Sequence, residues 1–223
     1  GCERTVKFHI ESECENYAVV NGTVMTKDKT KICFLDFADK LENHLSYISA
    51  IGTYAVAHAP LVISLGANIK EIEARAFNCA GVKSVSLNAI EAIAGEAFYN
   101  CNEVEEIAIS KSNAIAAFSF NTPQPSINRL ALKDIDLDCV SALFANIEDI
   151  AIDTLSLDGV SISGAGFFDQ VSTVRAIEIN SAIGVTPECM LGANISSLAM
   201  CGQSWLVSEL LGEAANLLTL SIK

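Results

Sequence analysis

The chain has 223 residues, 51% hydrophobic and 18% charged: ample for a buried core and incompatible with general disorder. Its formal net charge of −13 argues against nucleic acid, which is held by clustered Lys and Arg, and against adsorption to anionic lipid. No stretch approaches the ~18 uninterrupted apolar residues of a membrane span, and the acidic surface reads as the solvation of an Ala- and Ile-rich protein.

The chain opens on Gly1-Cys2-Glu3. A small residue before a cysteine is the order found at a bacterial lipoprotein junction, with Cys2 as the lipidated residue; Gly1 reads equally as a remnant of tag removal. Tyr17-Ala-Val-Val20 and Thr23-Val-Met25 then flank Asn21-Gly22, the strongest short hairpin signal. Lys27-Asp28-Lys29-Thr30 is a second turn, followed by Lys31-Ile-Cys-Phe-Leu35. Residues 1–47 are therefore expected to form a small antiparallel meander that caps the domain following it.

From residue 48 to 223 one short pattern dominates, apolar-x-x-apolar-x-apolar. Its copies end at Leu65, Leu87, Ile109, Leu132, Ile152, Ile179, Met200 and Ile222, roughly every 20 to 27 residues. One short strand per such period predicts a solenoid. We expect about eight coils, with one parallel sheet on one face and turns and short helices on the other. At ~4.8 Å per strand the sheet is about 35 Å long.

The second and third coils show the unit best. Ile69-Lys-Glu-Ile72 leads to Ala76-Phe77-Asn-Cys79 and the strand Val82-Lys-Ser-Val85-Ser-Leu87. Ile90-Glu-Ala-Ile93 leads in the same way to Ala97-Phe98-Tyr-Asn-Cys101 and Val104-Glu-Glu-Ile107-Ala-Ile109. The unit resembles the BspA-like leucine-rich repeat, a bacterial subtype ending in an Ala-Phe-x-x-Cys run and a short strand. The resemblance is strong over residues 48–109 and degraded from 115 to 223. Tyr54-Ala-Val56 replaces Ala-Phe in the first coil, and Phe118, Phe144 and Phe167-Phe168 mark later corners without the cysteine. The 27-residue coil ending at Ile179 is read as carrying an insertion that contains Asp158-Gly159 and Ser163-Gly-Ala-Gly166. Near the end, Ser204 caps a short helix from Trp205 to about Ala214, and Leu217–Ile222 forms the last strand. That edge is covered by the helix and terminus, pairs with another copy, or continues into a longer chain.

Chemistry finds little support in the residues. The histidines His9, His44 and His58 share no metal-ligand spacing and are expected to be ordinary, partly exposed side chains. No C-x-x-C, G-x-S-x-G, H-E-x-x-H, phosphate loop or dinucleotide motif occurs. Asp134-Ile-Asp136-Leu-Asp138 alternates like a strand with a wet side and lacks the glycine and distal Glu of an EF-hand. No cofactor and no metal are expected. Cys79 and Cys101 occupy equivalent positions in neighbouring coils, so a disulfide is geometrically open, although a ladder of small buried thiols is the commoner arrangement. A glycan-cleaving enzyme needs two carboxylates across a cleft, and Asp149 or Asp153 with Glu178 is the one pair to check.

Function is therefore expected on the strand face. Alternation exposes the column Ser64, Ser86, Ala108, Ala131, Ala151, Glu178, Ala199 and Ser221. Flanking it are Glu106, Arg129, Asp149 and Ser197 on one side, and Asn88, Lys133, Asp153 and Asn180 on the other. The candidate partner-binding residues are Glu106, Arg129, Lys133, Asp149, Asp153 and Glu178. The resemblance implies a non-catalytic adhesion module of a host-associated bacterium, recognising a protein or glycan on host or neighbouring cells. It implies a secreted or cell-surface location, with membrane contact only through a lipid on Cys2. The alternative is a spacer that presents another domain of a longer surface protein.

Overall fold

The computed structural model describes residues 14–36, 39–57, 62–78, 81–101, 103–112, 126–135, 150–162, 171–185, 195–200 and 219–222. The hairpin forms where Asn-Gly places it. Strands β1 (Tyr17–Val20) and β2 (Thr23–Thr26) pair antiparallel with Val20 opposite Thr23. Asn21 and Gly22 both take positive φ, 52° and 85°, as a type I′ turn requires. After a turn with Lys29 at φ 60°, β3 (Lys31–Phe34) returns antiparallel to β2. A 3-10 turn, Leu41–Asn43, then leads into the coils.

Each well-described coil has two walls. The outer wall of one side is an eight-stranded parallel sheet built from β5 (Val62–Leu65), β7 (Ser84–Asn88), β9 (Glu106–Ser110), β10 (Ser126–Lys133), β11 (Ile150–Ile162), β12 (Val171–Val185), β13 (Ile195–Met200) and β14 (Thr219–Ile222). The opposite wall holds the two-residue strands β4 (Ala50–Ile51), β6 (Glu71–Ile72) and β8 (Ala92–Ile93), again parallel. The fold is thus the leucine-rich-repeat solenoid expected, with this second wall described for fewer coils than there are strands in the long sheet.

The second wall corrects the expectation of short helices there, since no α-helix occurs among the described residues. The three-residue spacing of Ile69-x-x-Ile72 imitates a helical turn, yet the amides bond outward to the preceding coil. Lys70 and Glu71 both donate to the Ser49 carbonyl, and Glu91 and Ala92 to that of Lys70. The meander joins this wall directly: β3 pairs parallel with β4, Lys31 opposite Ala50 and Ile32 opposite Ile51. Its Met25, Ile32 and Leu35 belong to the same buried cluster as Ile51, Phe77, Leu130 and Leu198.

Register supplies a second correction. Ile152, Leu155 and Leu157 lie opposite Ile127, Leu130 and Leu132 on one side and Val174, Ile177 and Ile179 on the other. The repeat strand of this coil therefore ends at Leu157, not at Ile152. Asp158-Gly159 is the corner that follows it, not part of an insertion, and the longer coil is the one between Leu132 and Leu157. The sequence holds two overlapping copies of the pattern, Ile147-x-x-Ile150-x-Ile152 and Ile152-x-x-Leu155-x-Leu157, and apolar spacing alone does not choose between them. The corner does: two residues beyond the strand's last apolar residue, Ala89, Lys111, Asp134 and Gly159 all have positive φ.

One further expectation is met by the core and one fails. Phe77 and Phe98 are fully buried and stack at 5.0 Å with planes 4° apart. Cys101 is fully buried, with its thiol directed at the Phe77 carbonyl 3.6 Å away; Cys79 lies outside the described residues. His44, expected to be partly exposed, is instead completely buried. The expected helix from Trp205 and the candidate lipidation residue Cys2 lie outside the described residues.

Candidate interaction face

With the register corrected, the central outward column reads Ser64, Ser86, Ala108, Ala131, Ser156, Glu178, Ala199 and Ser221. Ser156 replaces Ala151. One flanking row becomes Ser84, Glu106, Arg129, Thr154, Ala176, Ser197 and Thr219. The other becomes Asn88, Ser110, Lys133, Asp158 and Ser181, because the pairing slips after Leu157 and sets Ser181, not Asn180, opposite Asp158.

The candidate residues do not form one cluster. Four of the six enter three separate ion pairs. Arg129 reaches over β11 to Glu178, 3.1 Å away, although Glu106 is its direct neighbour on β9. Two strands are ~9.6 Å apart, so both side chains lie flat across the sheet. That lateral bridge explains why Ser156 is only 7% exposed in an outward column. Lys133 pairs with Asp158 at 2.8 Å, and Ser181 Oγ donates to the same carboxylate at 2.9 Å while accepting from the Gly159 amide. These bonds hold the Asp158 carboxyl below its ordinary range, with Lys133 the largest cause. Asp153 lies one position before Thr154 on β11, outside these rows, and pairs with Arg175 at 3.2 Å. Lys83 binds Glu103 and Glu105, both at 3.0 Å, and Asn128 Nδ2 donates to Glu105.

Glu106 alone of the candidates takes part in no ion pair among the described residues, and Asp149 lies outside them. Asp153 and Glu178, the carboxylates considered for glycan cleavage, each face a different arginine. The residues that sequence reasoning missed on this face are Arg175, Asp158 and Ser181. Gly159 was the available signal for the last two, because a glycine two positions past a strand marks the positive-φ corner. The chemistry of this surface is that of a shallow, nearly neutralised polar face. Small residues in the middle leave the backbone approachable, and paired charges line both margins.

A second polar cluster was missed altogether. Buried Asp39 accepts from His44 Nε2 at 2.6 Å and from Thr23 Oγ1 at 2.9 Å, while His44 Nδ1 meets the Tyr47 hydroxyl. Burial raises the Asp39 carboxyl, but hydrogen bonds from Asn43, His44, the Lys40 amide and Thr23 outweigh it and set the group below its usual value. The cluster ties the hairpin to the first coil.

Residues 40–128 match the model of the BspA type leucine rich repeat region, in 6 copies. No curated protein and no solved structure matches the chain at a significant level. This repeat type is associated with protein interaction and with bacterial surface proteins, and its solenoid is typically non-catalytic.

Proposed function

Because residues 40–128 are a BspA-type leucine-rich repeat region, we propose that the protein is a cell-surface binding module. It adheres to a protein or glycan of host or neighbouring cells through the long sheet. The observation that carries this reading is the sheet face itself: eight parallel strands with a low Ala/Ser centre between margins of paired charge. An extended surface of this kind suits many weak contacts spread over several coils. Binding replaces intramolecular ion pairs by intermolecular ones, so little net charge is left unpaired on either side. Export, and a lipid on Cys2, belong to the same proposal.

A spacer role is the second reading. The same pairs favour it, since Arg129, Lys133 and Arg175 already have partners within the face.

The test is a screen against immobilised matrix proteins and host glycans, with a variant carrying Arg129→Ala, Glu178→Ala, Lys133→Ala and Asp158→Ala. Removing both members of each pair leaves the net charge unchanged and no orphaned ion. Adhesion through the sheet predicts at least a tenfold loss of binding by a variant that still folds. Binding that persists moves the site off this face, and no binding by the folded wild type supports the spacer.

A further inference from the structure

A different surface has the makings of a ligand site. Tyr54, Arg75 and Glu96 occupy the same corner of three successive coils, between the second wall and the Phe turn. Their backbones stack directly: the Tyr54 amide donates to the Arg75 carbonyl at 3.1 Å, and the Arg75 amide to that of Glu96 at 3.0 Å. All three have left-handed backbone, with φ of 55°, 55° and 57°. Such positions favour Gly or Asn, yet each rung carries a large side chain. Left-handed corners recur in this fold, at Ala89, Lys111 and Asp134 as well, and here the corner sets three large side chains one above another.

The side chains are organised around one guanidinium. Arg75 Nε donates to Glu96 Oε2 at 2.6 Å and Nη1 donates to the Tyr54 hydroxyl at 2.7 Å. The guanidinium carbon lies 4.7 Å from the centre of the Tyr99 ring, a cation–π contact. Nη2 makes no hydrogen bond among the described residues. Tyr54 is 46% exposed, one of the few large apolar side chains that face solvent. Lys31 and Glu73, joined at 2.7 Å, lie on the same side of the solenoid, and Thr53 donates to Glu73 through both amide and hydroxyl.

We propose that this corner binds a neutral oligosaccharide. The Arg75 guanidinium carbon also lies 5.9 Å from the centre of the Tyr54 ring, and the solvent-facing part of that ring, 46% exposed, meets the C–H groups of a pyranose. Arg75 Nη2 donates to a ring or hydroxyl oxygen. The charges cancel locally, Arg75 against Glu96 and Lys31 against Glu73, so an acidic ligand must compete with a carboxylate already in place. A polyhydroxyl ligand without charge pays no such penalty. The rungs repeat at ~4.8 Å, close to the length of one pyranose unit, so successive sugars align with successive coils. Mutual contacts hold Arg75 before the ligand arrives, which lowers the ordering cost of binding.

The experiment is saturation-transfer NMR and calorimetry of the full chain with maltotetraose and chitotetraose, with sialyllactose as acidic control. The expected result is millimolar binding of at least one neutral tetrasaccharide and at least tenfold weaker binding of sialyllactose. Tyr54→Asn should weaken sugar binding at least tenfold while leaving the unfolding midpoint unchanged or raised, because Asn accepts the left-handed backbone. A purely structural clasp predicts the reverse, a lowered midpoint. Arg75→Gln should also reduce binding; if it fails to fold, Tyr54→Asn decides alone. Neither tetrasaccharide binding, equal or tighter sialyllactose binding, or unchanged affinity in Tyr54→Asn overturns the proposal.

Discussion

His44 is the residue whose surroundings matter most to its own neighbourhood. A carboxylate only accepts, so the bond to Asp39 places a proton on His44 Nε2, and in the neutral ring Nδ1 accepts from the Tyr47 hydroxyl. Removing the imidazole leaves a buried carboxylate short of one donor and Thr23 as its remaining link to β2. Such a loss is large, because an unsatisfied buried charge keeps its desolvation penalty. His44→Ala should therefore cost about 2–4 kcal/mol in chemical denaturation. It should also speed amide exchange across residues 17–35 more than in the long sheet. A loss below about 1 kcal/mol would mean that Asn43 and the Lys40 amide suffice for Asp39. Nothing in the sequence marked this role. His44 and Asp39 are five apart on an irregular segment, and only the 3-10 turn at Leu41–Asn43 folds them together.

At the scale of elements, what was legible depended on whether a signal was local. Asn21-Gly22 defines its own turn, and the hairpin appears where those residues place it. The Ala-Phe corners are equally local, and Phe77 and Phe98 stack as the repeat implies. Strand register in the fifth coil was not legible from apolar spacing, because Ile152 ends one copy of the pattern and begins another. The choice rests on Gly159, whose positive φ of 63° matches the positive φ of the neighbouring corners, 56° at Ala89, 53° at Lys111 and 50° at Asp134. A Cβ on Gly159 would sit 2.4 Å from Asp134 Oδ1. That oxygen ends a flexible side chain and moves aside readily, whereas the backbone strain of a left-handed alanine remains. Gly159→Ala should accordingly cost about 1–2 kcal/mol. Adding Asp134→Ala should recover only the steric part and leave about 1 kcal/mol. Full recovery in the double variant, read by urea denaturation, would show that the clash alone matters and that the corner does not need a glycine backbone. The same slip explains why Asp153 and Asn180 were assigned to a row where the structure places Asp158 and Ser181.

The whole molecule carries two opposing electrostatic effects, and their sizes decide how it responds to salt and acid. The ion pairs, such as Arg129–Glu178 and Lys133–Asp158, are largely solvent-exposed, so each contributes about 0–1 kcal/mol and is weakened by salt. Against them stands a net charge of −13, whose self-repulsion falls as salt screens it over a Debye length of about 8 Å at physiological ionic strength. Repulsion summed over the chain should win, so raising NaCl at pH 7.5 is expected to raise the unfolding midpoint. A falling midpoint would assign the ion-pair rows the larger share. Acid acts on both effects in sequence. Lowering the pH from neutrality towards the pI of about 4.5 first removes repulsion and should increase stability. Asp39, Glu73 and Asp158 have folded pKa values below their ordinary ones of 3.8, 4.5 and 3.8. Their contribution is complete above those ordinary values and is lost as the pH falls through the lower folded ones. Stability should therefore peak on the acid side of neutrality and drop steeply below about pH 4. Thermal midpoints measured from pH 3 to 8 at fixed ionic strength check this. A midpoint that does not rise as the pH falls from 8 towards 5 would show that charge repulsion is not the larger effect in that range.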